Sequence, residues 1–435
     1  MNGTRKSRRE VVQEQSRPGL RRNAAWIFAG QLFSLAVQAI YFAVLARLLG
    51  LHEYGLLAGV AAAVSLASQF SSLGAGFVFL RHVSADYSLY PTYFGNLIAT
   101  CVFVGISIVL VLCGVSRHLL ANVDHMTILY MGVSECVFGQ LTLGASRVFQ
   151  AFERMRITAL LTLTTNTLRM LLAFFLLMEM HHATARQWAG FSMFVSMVGS
   201  AAALLTAFRI FGLPSLSFPI YRARFREGLL FAASSSNTSI FNDIDKVLLG
   251  HFGQTAATGL YAMGYRAIEI ATLPLRSVHA AAYPRFCQAG AHSFQRVREL
   301  AGRILRKTTL LAGGCAIGLW IFAPLVPVVV GKSFAPSVAV IRLLCIIPLL
   351  RSFHLCAGDA LAGAGLQRYR FWYESAAAAG NVVLNLLLIP RYSWHGAAWA
   401  SLVTDGSLAI VSWATLRLTL TRQNIAPVLV RGALS

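Results

Sequence analysis

Asp243, Asp245 and Lys246 fall inside a long and mostly apolar run, and Arg266 with Glu269 fall inside the next one. Glu135 and Arg169 are placed the same way earlier in the chain, and Arg342, Arg351, Asp359 and Asp405 later. An ionised side chain at bilayer depth costs roughly 2.5–3.5 kcal/mol on insertion scales, so such residues are functional candidates by default. The cations could hold an anionic headgroup, because arginine presents a planar fork of donors to phosphate oxygens. The carboxylates could bind a coupling proton or cation, or simply neutralise a neighbouring cation.

Spacing sorts these residues. Asp243 and Lys246 are three apart and share a helix face, as do Arg266 and Glu269. Each couple is either a self-neutralising pair that merely permits burial or part of a binding surface. Asp245 points about 200° away from Asp243 around the helix. Arg169 has no acidic residue within four positions. Arg342 and Arg351 lie about 180° apart on a straight helix, and share a cavity only if Pro348 kinks it. Asp359 follows Arg351 by two turns, within about 80°, and is the expected partner. Glu135 and Asp405 stand alone; either could carry a coupling ion, but neutralisation of Arg169 by Glu135 is favoured. Arg276, nearer a span end, reads as a snorkelling anchor. The substrate-facing set is therefore Arg169, Arg266, Arg351, Arg342 and Lys246. The coupling or charge-pairing set is Glu135, Asp243, Asp245, Glu269, Asp359 and Asp405.

The elements that position these groups must be transmembrane helices. Residues of the AVILMFWYC set make up 57% of the 435-residue chain and charged residues only 12%, too few to coat soluble domains. A span needs about 20 mostly apolar residues. Spans are predicted near 24–45, 54–80, 95–115, 126–146, 157–179, 187–208, 228–250, 256–282, 304–330, 337–363, 372–390 and 394–416. The fold class is thus an all-α polytopic membrane protein of about twelve transmembrane helices in two six-helix lobes. Residues 1–22 form a basic cytoplasmic tail, 23–211 the N-terminal lobe, 212–227 a basic cytoplasmic linker, 228–418 the C-terminal lobe, and 419–435 a cytoplasmic tail. The seventh span is the weakest, because it also carries Ser234, Ser235, Ser236 and Asn237.

Charge fixes the orientation. With the N-terminus inside, the outer side receives only Arg47, Arg117, Arg186, Lys332 and Arg391. Arg169, Lys246, Arg266, Arg276, Arg342 and Arg351 lie within spans, and the rest of the 37 Lys and Arg are cytoplasmic. That bias is the positive-inside pattern, with both termini in the cytoplasm. It also argues against nucleic acid, which would need the +21 net charge on one folded face. The basic tail (Arg5, Lys6, Arg8, Arg9, Arg17, Arg21, Arg22) precedes an apolar run too long for a signal-peptide core, so this run reads as an uncleaved first span.

Several signatures fail. The seven cysteines show no CxxC pair and the eleven histidines no metal spacing, so neither a disulfide framework nor a metal or other cofactor is expected. Gly331-Lys332-Ser333 resembles the end of a phosphate loop, but Val326 occupies its first glycine position. His181-His182 reads as a solvated turn, and Asn237-Thr238-Ser239 is a glycosylation triplet placed inside a span. No nucleophile–base constellation is visible, and the outer loops are too short for the site an integral-membrane polysaccharide polymerase would need.

A weak repeat links the halves. LARLLGLHEYGLLAG (Leu45–Gly59) and DKVLLGHFGQTAATGLYAMG (Asp245–Gly264) both place LLG at a span exit before a short polar hairpin. With SSLGAGFVFLRHVS (Ser71–Ser84), TGLYAMGYR (Thr258–Arg266) and LNLLLIPRYSWHGAAWAS (Leu384–Ser401), these segments resemble the polysaccharide biosynthesis/export family. These are the Wzx-type oligosaccharide flippases of the multidrug/oligosaccharidyl-lipid/polysaccharide exporter (MOP) superfamily, and the resemblance runs from about Arg21 to Arg417. Ser393 stands where the family's IP-x-x-G pattern has a turn glycine. The resemblance implies a two-lobed, MATE-like transporter and not an enzyme. It would flip an undecaprenyl-pyrophosphate-linked oligosaccharide across the bacterial inner membrane for O-antigen, capsule or exopolysaccharide synthesis. The site would lie between lobes that open alternately to each side, and polymerase or export components would be partners beside the lipid bilayer. A drug/cation antiporter of the same superfamily is the alternative; it would favour an acidic lobe over the basic excess seen here.

Overall fold

The computed structural model describes residues 20–120, 123–180 and 182–432; the tail cations before residue 20 and His181 lie outside them. The side chains of Ser234, Ser235, Asn237 and Thr238 are also outside the described set, although their backbone is helical. Among the described residues the chain is helical throughout, with no strand. That is what lipid demands, because a helix satisfies its own backbone donors and acceptors where no water can. Helices cover Leu20–Ser68, Ala75–Val83, Tyr90–Leu119, His125–Ala151, Met155–Met180, Ala185–Phe211, Phe218–His251, Thr255–His292, Phe294–Phe322, Ser337–Gly363, Gln367–Tyr392 and Trp394–Gly432. Seven helices among the described residues are long and apolar enough to cross a membrane: Ala36–Ser68, Tyr87–Ser116, His125–Ala151, Met155–Met180, Ala185–Phe211, Phe294–Phe322 and Ser337–Gly363. The Phe218–His251, Thr255–His292, Gln367–Tyr392 and Trp394–Gly432 helices are not among them; they carry most of the buried ionic groups described below. Outward apolar side chains such as Phe103, Leu110, Leu310 and Ile410 are exposed along the helices, as a lipid-facing surface requires.

Two stretches expected as loops are largely helical. The 212–227 linker is extended only to Ser217, and Phe218 already begins the next helix. The segment around 283–303 is helical except at Ser293, whose hydroxyl accepts from the Arg296 N–H at 3.3 Å and caps the Phe294–Phe322 helix. Charged residues there make the stretch look like loop, but a helix tolerates them on its exposed face, where Arg296, Arg298, Glu299 and Arg303 lie.

The chain divides into two compact units. The first comprises Met1–Leu49, Val64–Arg117 and Val123–Ser236. Its core is aromatic: Phe79, Phe94 and Phe149 are fully buried, and Phe152 stacks on Phe211 at 4.2 Å. The extended linker is fastened to this core. Asn96 donates to the Ser217 carbonyl at 2.9 Å and accepts from the Ser217 N–H at 3.0 Å, while Tyr90 donates to the Gly212 carbonyl at 3.1 Å.

The second unit comprises Gly50–Ala63, His118–Asn122 and Asn237–Ser435. The crossing from the first unit to the second falls at Gly50, whose backbone (φ 69°, ψ 176°) interrupts the Leu20–Ser68 helix. Here the sequence repeat acquires a physical meaning, because its two copies touch. A Cβ on Gly55 would lie 2.0 Å from the Thr255 carbonyl oxygen, and one on Gly259 would lie 2.7 Å from the Leu51 carbonyl oxygen. Gly59 and Gly250 face each other in the same seam, and a Cβ on either would lie 3.8 Å from the other's Cα. Small residues let helix backbones approach where lipid supplies no hydrophobic drive between them.

Two predictions follow the backbone. Gly55→Ala must push the seam apart and should cost about 1–3 kcal/mol, the usual scale for overpacking; an unchanged melting temperature in lipid would rule this out. Ser393 has φ 53° and ψ −136° at the turn between Gln367–Tyr392 and Trp394–Gly432, a conformation that favours glycine. Ser393→Gly should therefore raise stability by about 1 kcal/mol, seen as a higher melting temperature.

Candidate substrate and coupling site

Each unit buries its own charge cluster. In the first, Glu135 sits on a π-helical turn, Val133–Gly139, within the His125–Ala151 helix. Such turns insert a residue into the helical ladder and recur at functional sites. Gly105 permits the turn's close approach, since a Cβ there would come within 2.5 Å of the Cys136 carbonyl oxygen. Arg169, half-buried on Met155–Met180, donates through Nη2 to Glu135 Oε1 at 3.1 Å and to Ser196 Oγ at 2.6 Å. Ser196 in turn meets Ser134 Oγ at 2.8 Å. The neutralisation of Arg169 by Glu135 is thus the geometry observed. The Arg169 Nε remains buried without an acceptor.

The second unit holds a larger network. Lys246 pairs with Asp243 at 3.0 Å, donates to the Asn242 carbonyl, and sits 4.7 Å above the Tyr265 ring. Asp245, only 1% exposed, faces the other way and accepts from Tyr261 at 2.5 Å and from the Lys246 N–H at 2.7 Å. Tyr261 also meets Ser401 Oγ at 2.9 Å. Arg351 is 6% exposed; it donates to the Tyr265 hydroxyl, lies 3.4 Å from Asn242 Oδ1, and approaches Asp405 at 3.6 Å. His354 reaches the same Asp405 oxygen at 3.6 Å. The Arg351 Nη1 is buried and has no acceptor. Arg266 and Glu269 pair at 2.8 Å with the arginine half exposed.

Two expectations need revision. Asp359 does not partner Arg351; it meets His279 at 3.0 Å and Arg370 at 3.7 Å, and Asp405 takes the arginine instead. The helical wheel gave the angle between residues on one helix, but the partner comes from a different helix. Arg342 does not join Arg351. The Ser337–Gly363 segment breaks at Cys345–Ile346, just before Pro348, yet Arg342 is exposed and lies 5.2 Å over the Trp320 ring. Sequence reasoning also passed over Asn242, Tyr265, His354 and His279, which a polar residue within an apolar run could have flagged. Among the described residues no cluster of metal-ligating side chains occurs.

A chain with seven helices among the described residues long and apolar enough to cross a membrane is a multi-pass membrane protein, and the arginines and carboxylates buried among its helices are candidates for function. A family model described as "Polysaccharide biosynthesis protein" matches residues 20–289, more than half of the chain, and the chain belongs to that family. An uncharacterized membrane protein of Methanocaldococcus jannaschii is 20% identical over 430 residues, covering 91% of this chain and 98% of that one. A probable flippase, AglR of Haloferax volcanii, is 26% identical over 176 residues, 39% of this chain and 37% of its own length. Two solved structures share the fold. An inward-facing multidrug-resistance MATE transporter of the MOP superfamily aligns with TM-score 0.70 at 14% identity, covering 90% of this chain and 98% of that one. The lipid II flippase MurJ, in an inward closed conformation, gives 0.70 at 12% identity over 91% and 87%. The chain thus combines membership of the polysaccharide biosynthesis family with the all-helical fold of these two transporters.

Removing one partner of a buried pair strands the other charge, at about 3–5 kcal/mol. Asp405→Asn should therefore lower the melting temperature sharply, and Arg351→Met in the same chain should restore part of the loss. Additive losses in the double variant would show that the two residues do not interact.

Proposed function

We propose that this protein translocates an undecaprenyl-pyrophosphate-linked oligosaccharide across the bacterial inner membrane, by alternating access, for surface polysaccharide synthesis. Both termini lie in the cytoplasm on this reading, and twelve spans form two six-helix lobes, 23–211 and 228–418. The family match and the flippase relative support a lipid-linked sugar substrate. One observation carries the reading further. In each unit an arginine that already meets one carboxylate keeps a buried N–H without an acceptor, Arg169 Nε in the first and Arg351 Nη1 in the second. A buried donor left unmade costs about 1–3 kcal/mol, and a phosphate oxygen satisfies it with a charge-assisted bond. Lys246, buried with Arg351 against the Tyr265 ring, and the more exposed Arg266 and Arg342 supply further cations. Asp243 holds Lys246, Glu269 holds Arg266, Asp405 holds Arg351 and Glu135 holds Arg169 while the anion is absent, and Asp245 braces the Lys246 backbone through its N–H.

The antiporter alternative predicts carboxylates that exceed their cationic partners, whereas Arg169 and Arg351 each retain donor capacity beyond the carboxylate they meet. Deletion of the gene should strand lipid-linked repeat units on the cytoplasmic face; loss of a polymerase would instead leave single units outside. Arg169→Gln and Arg351→Gln keep a hydrogen-bonding side chain but lose the charge, and each should cut export at least about tenfold, one lost charged hydrogen bond. Surface polysaccharide measured against the amount of protein in the membrane checks this. Full export by both variants would remove the assignment.

A further inference from the structure

Away from the Arg351 network, three helices of the second unit bring together another set of ionisable groups. His279 on Thr255–His292 is 5% exposed, and its Nδ1 lies 3.0 Å from Asp359 Oδ2 on Ser337–Gly363. Arg370 on Gln367–Tyr392 approaches the other carboxylate oxygen at 3.7 Å and donates to Glu374 at 2.8 Å. Gly358 leaves the space they occupy, since a Cβ there would come within 3.2 Å of Arg370 Nε and 3.4 Å of the Tyr373 hydroxyl. Apolar side chains surround the group, among them Ala282, Phe286, Ala357, Ala360 and Leu361. Two polar atoms are buried with no partner: His279 Nε2 and the Tyr373 hydroxyl oxygen.

A static ion pair does not need this imidazole. Asp359 has Arg370, and Arg370 has Glu374. What the imidazole adds is a second protonatable group in contact with Asp359, buried, with one nitrogen against the carboxylate and the other without a hydrogen-bonding side chain or backbone partner. We propose that His279 and Asp359 form the site at which this transporter loads and unloads a coupling proton.

The geometry links the proton to conformation. A ring with a single N–H can place it on Asp359 and leave a bare lone pair at Nε2, which is the arrangement these contacts suit. A second proton at Nε2 creates a donor aimed at no acceptor. It becomes tolerable only after a shift that brings water or another oxygen to that nitrogen. Proton binding and the shift are therefore one equilibrium, biased by whichever side supplies the proton. The surrounding charges are mixed. Arg276 and Tyr283 share the histidine's helix; His354 and Asp359 face it from the second helix; Arg370, Tyr373 and Glu374 face it from the third. The Phe294–Phe322 helix adds apolar Val297 and Ala301, and the Trp394–Gly432 helix adds Leu408 and Leu416, with Asp405 one step away against His354.

The proposal rests on the transport reading above, and two measurements separate them. The first needs no substrate: hydrogen exchange of the segments bearing His279 and Asp359, in nanodiscs, between alkaline and mildly acidic pH. Acid should raise exchange there in the wild type after correction for intrinsic rates, and His279→Asn should abolish that response. No acid response in the wild type overturns the proposal, and this holds even if the variants fail to fold. The second uses proteoliposomes and a fluorescent polyprenyl-pyrophosphate disaccharide, with and without an imposed proton gradient. His279→Asn and Asp359→Asn should keep the rate seen without a gradient and lose the acceleration, with Asp359→Glu restoring part of it. Wild-type acceleration in both variants overturns the proposal while leaving the flippase reading intact. A wild type that flips nothing yet shows the acid response supports the proton site and counts against the flippase reading.

Discussion

The cost of an unpartnered charge in a low-dielectric interior shapes this protein more than any apolar contact does. Every strongly buried cation in the second unit has an anion or a π face within reach: Lys246 has Asp243 and the Tyr265 ring, and Arg351 has Asp405 and the Tyr265 hydroxyl. The first unit solves the problem with Arg169 and Glu135. Buried pairs of this kind rarely stabilise a fold more than packed hydrocarbon would. Their retention in helices that must also meet lipid points to work that hydrocarbon cannot do.

The same constraint governs where helices come close. With lipid outside as apolar as the side chains inside, approach depends on small residues and on polar bonds between helices. The glycine seam of Gly55, Gly59, Gly250 and Gly259 illustrates the first, and the doublet of bonds from Asn96 to Ser217 illustrates the second. The seam also explains why the internal repeat is visible at all. Its two LLG-hairpin-glycine segments are each other's packing surface, so the glycine needed by one copy is needed by the other.

What could be read from the sequence follows the range of the interaction. Helical character was legible because apolar runs of about 20 residues match the length at which a helix crosses the bilayer, and a helix satisfies its own backbone there. Asp243–Lys246 and Arg266–Glu269 were legible because three residues along one helix define a shared face. The pairing of Arg169 with Glu135 was legible as one option, since Arg169 has no acidic residue within four positions and Glu135 lies mid-span in the preceding predicted helix. Arg351 was assigned to Asp359 because the helical wheel offered nothing else. Its actual partner, Asp405, lies 54 residues on, and spacing within one helix carries no information about which helix stands opposite. Asn96 and His279 went unremarked for a related reason: a single polar residue in an apolar run acquires a role only from its neighbours.

Ion pairing and substrate binding need not compete here. A guanidinium has five donors, and a carboxylate at 3.1 or 3.6 Å engages only some of them. On the proposed function, pairing lets the cation survive the empty state, while donors left over from the pair remain for an anion. A lysine could not divide its charge this way, because its ammonium is a compact point with no fixed second edge. Arginine at 169 and 351 is therefore the side chain expected where a charge must be both neutralised and available. Arg351→Lys should then behave as a loss of binding geometry rather than of charge.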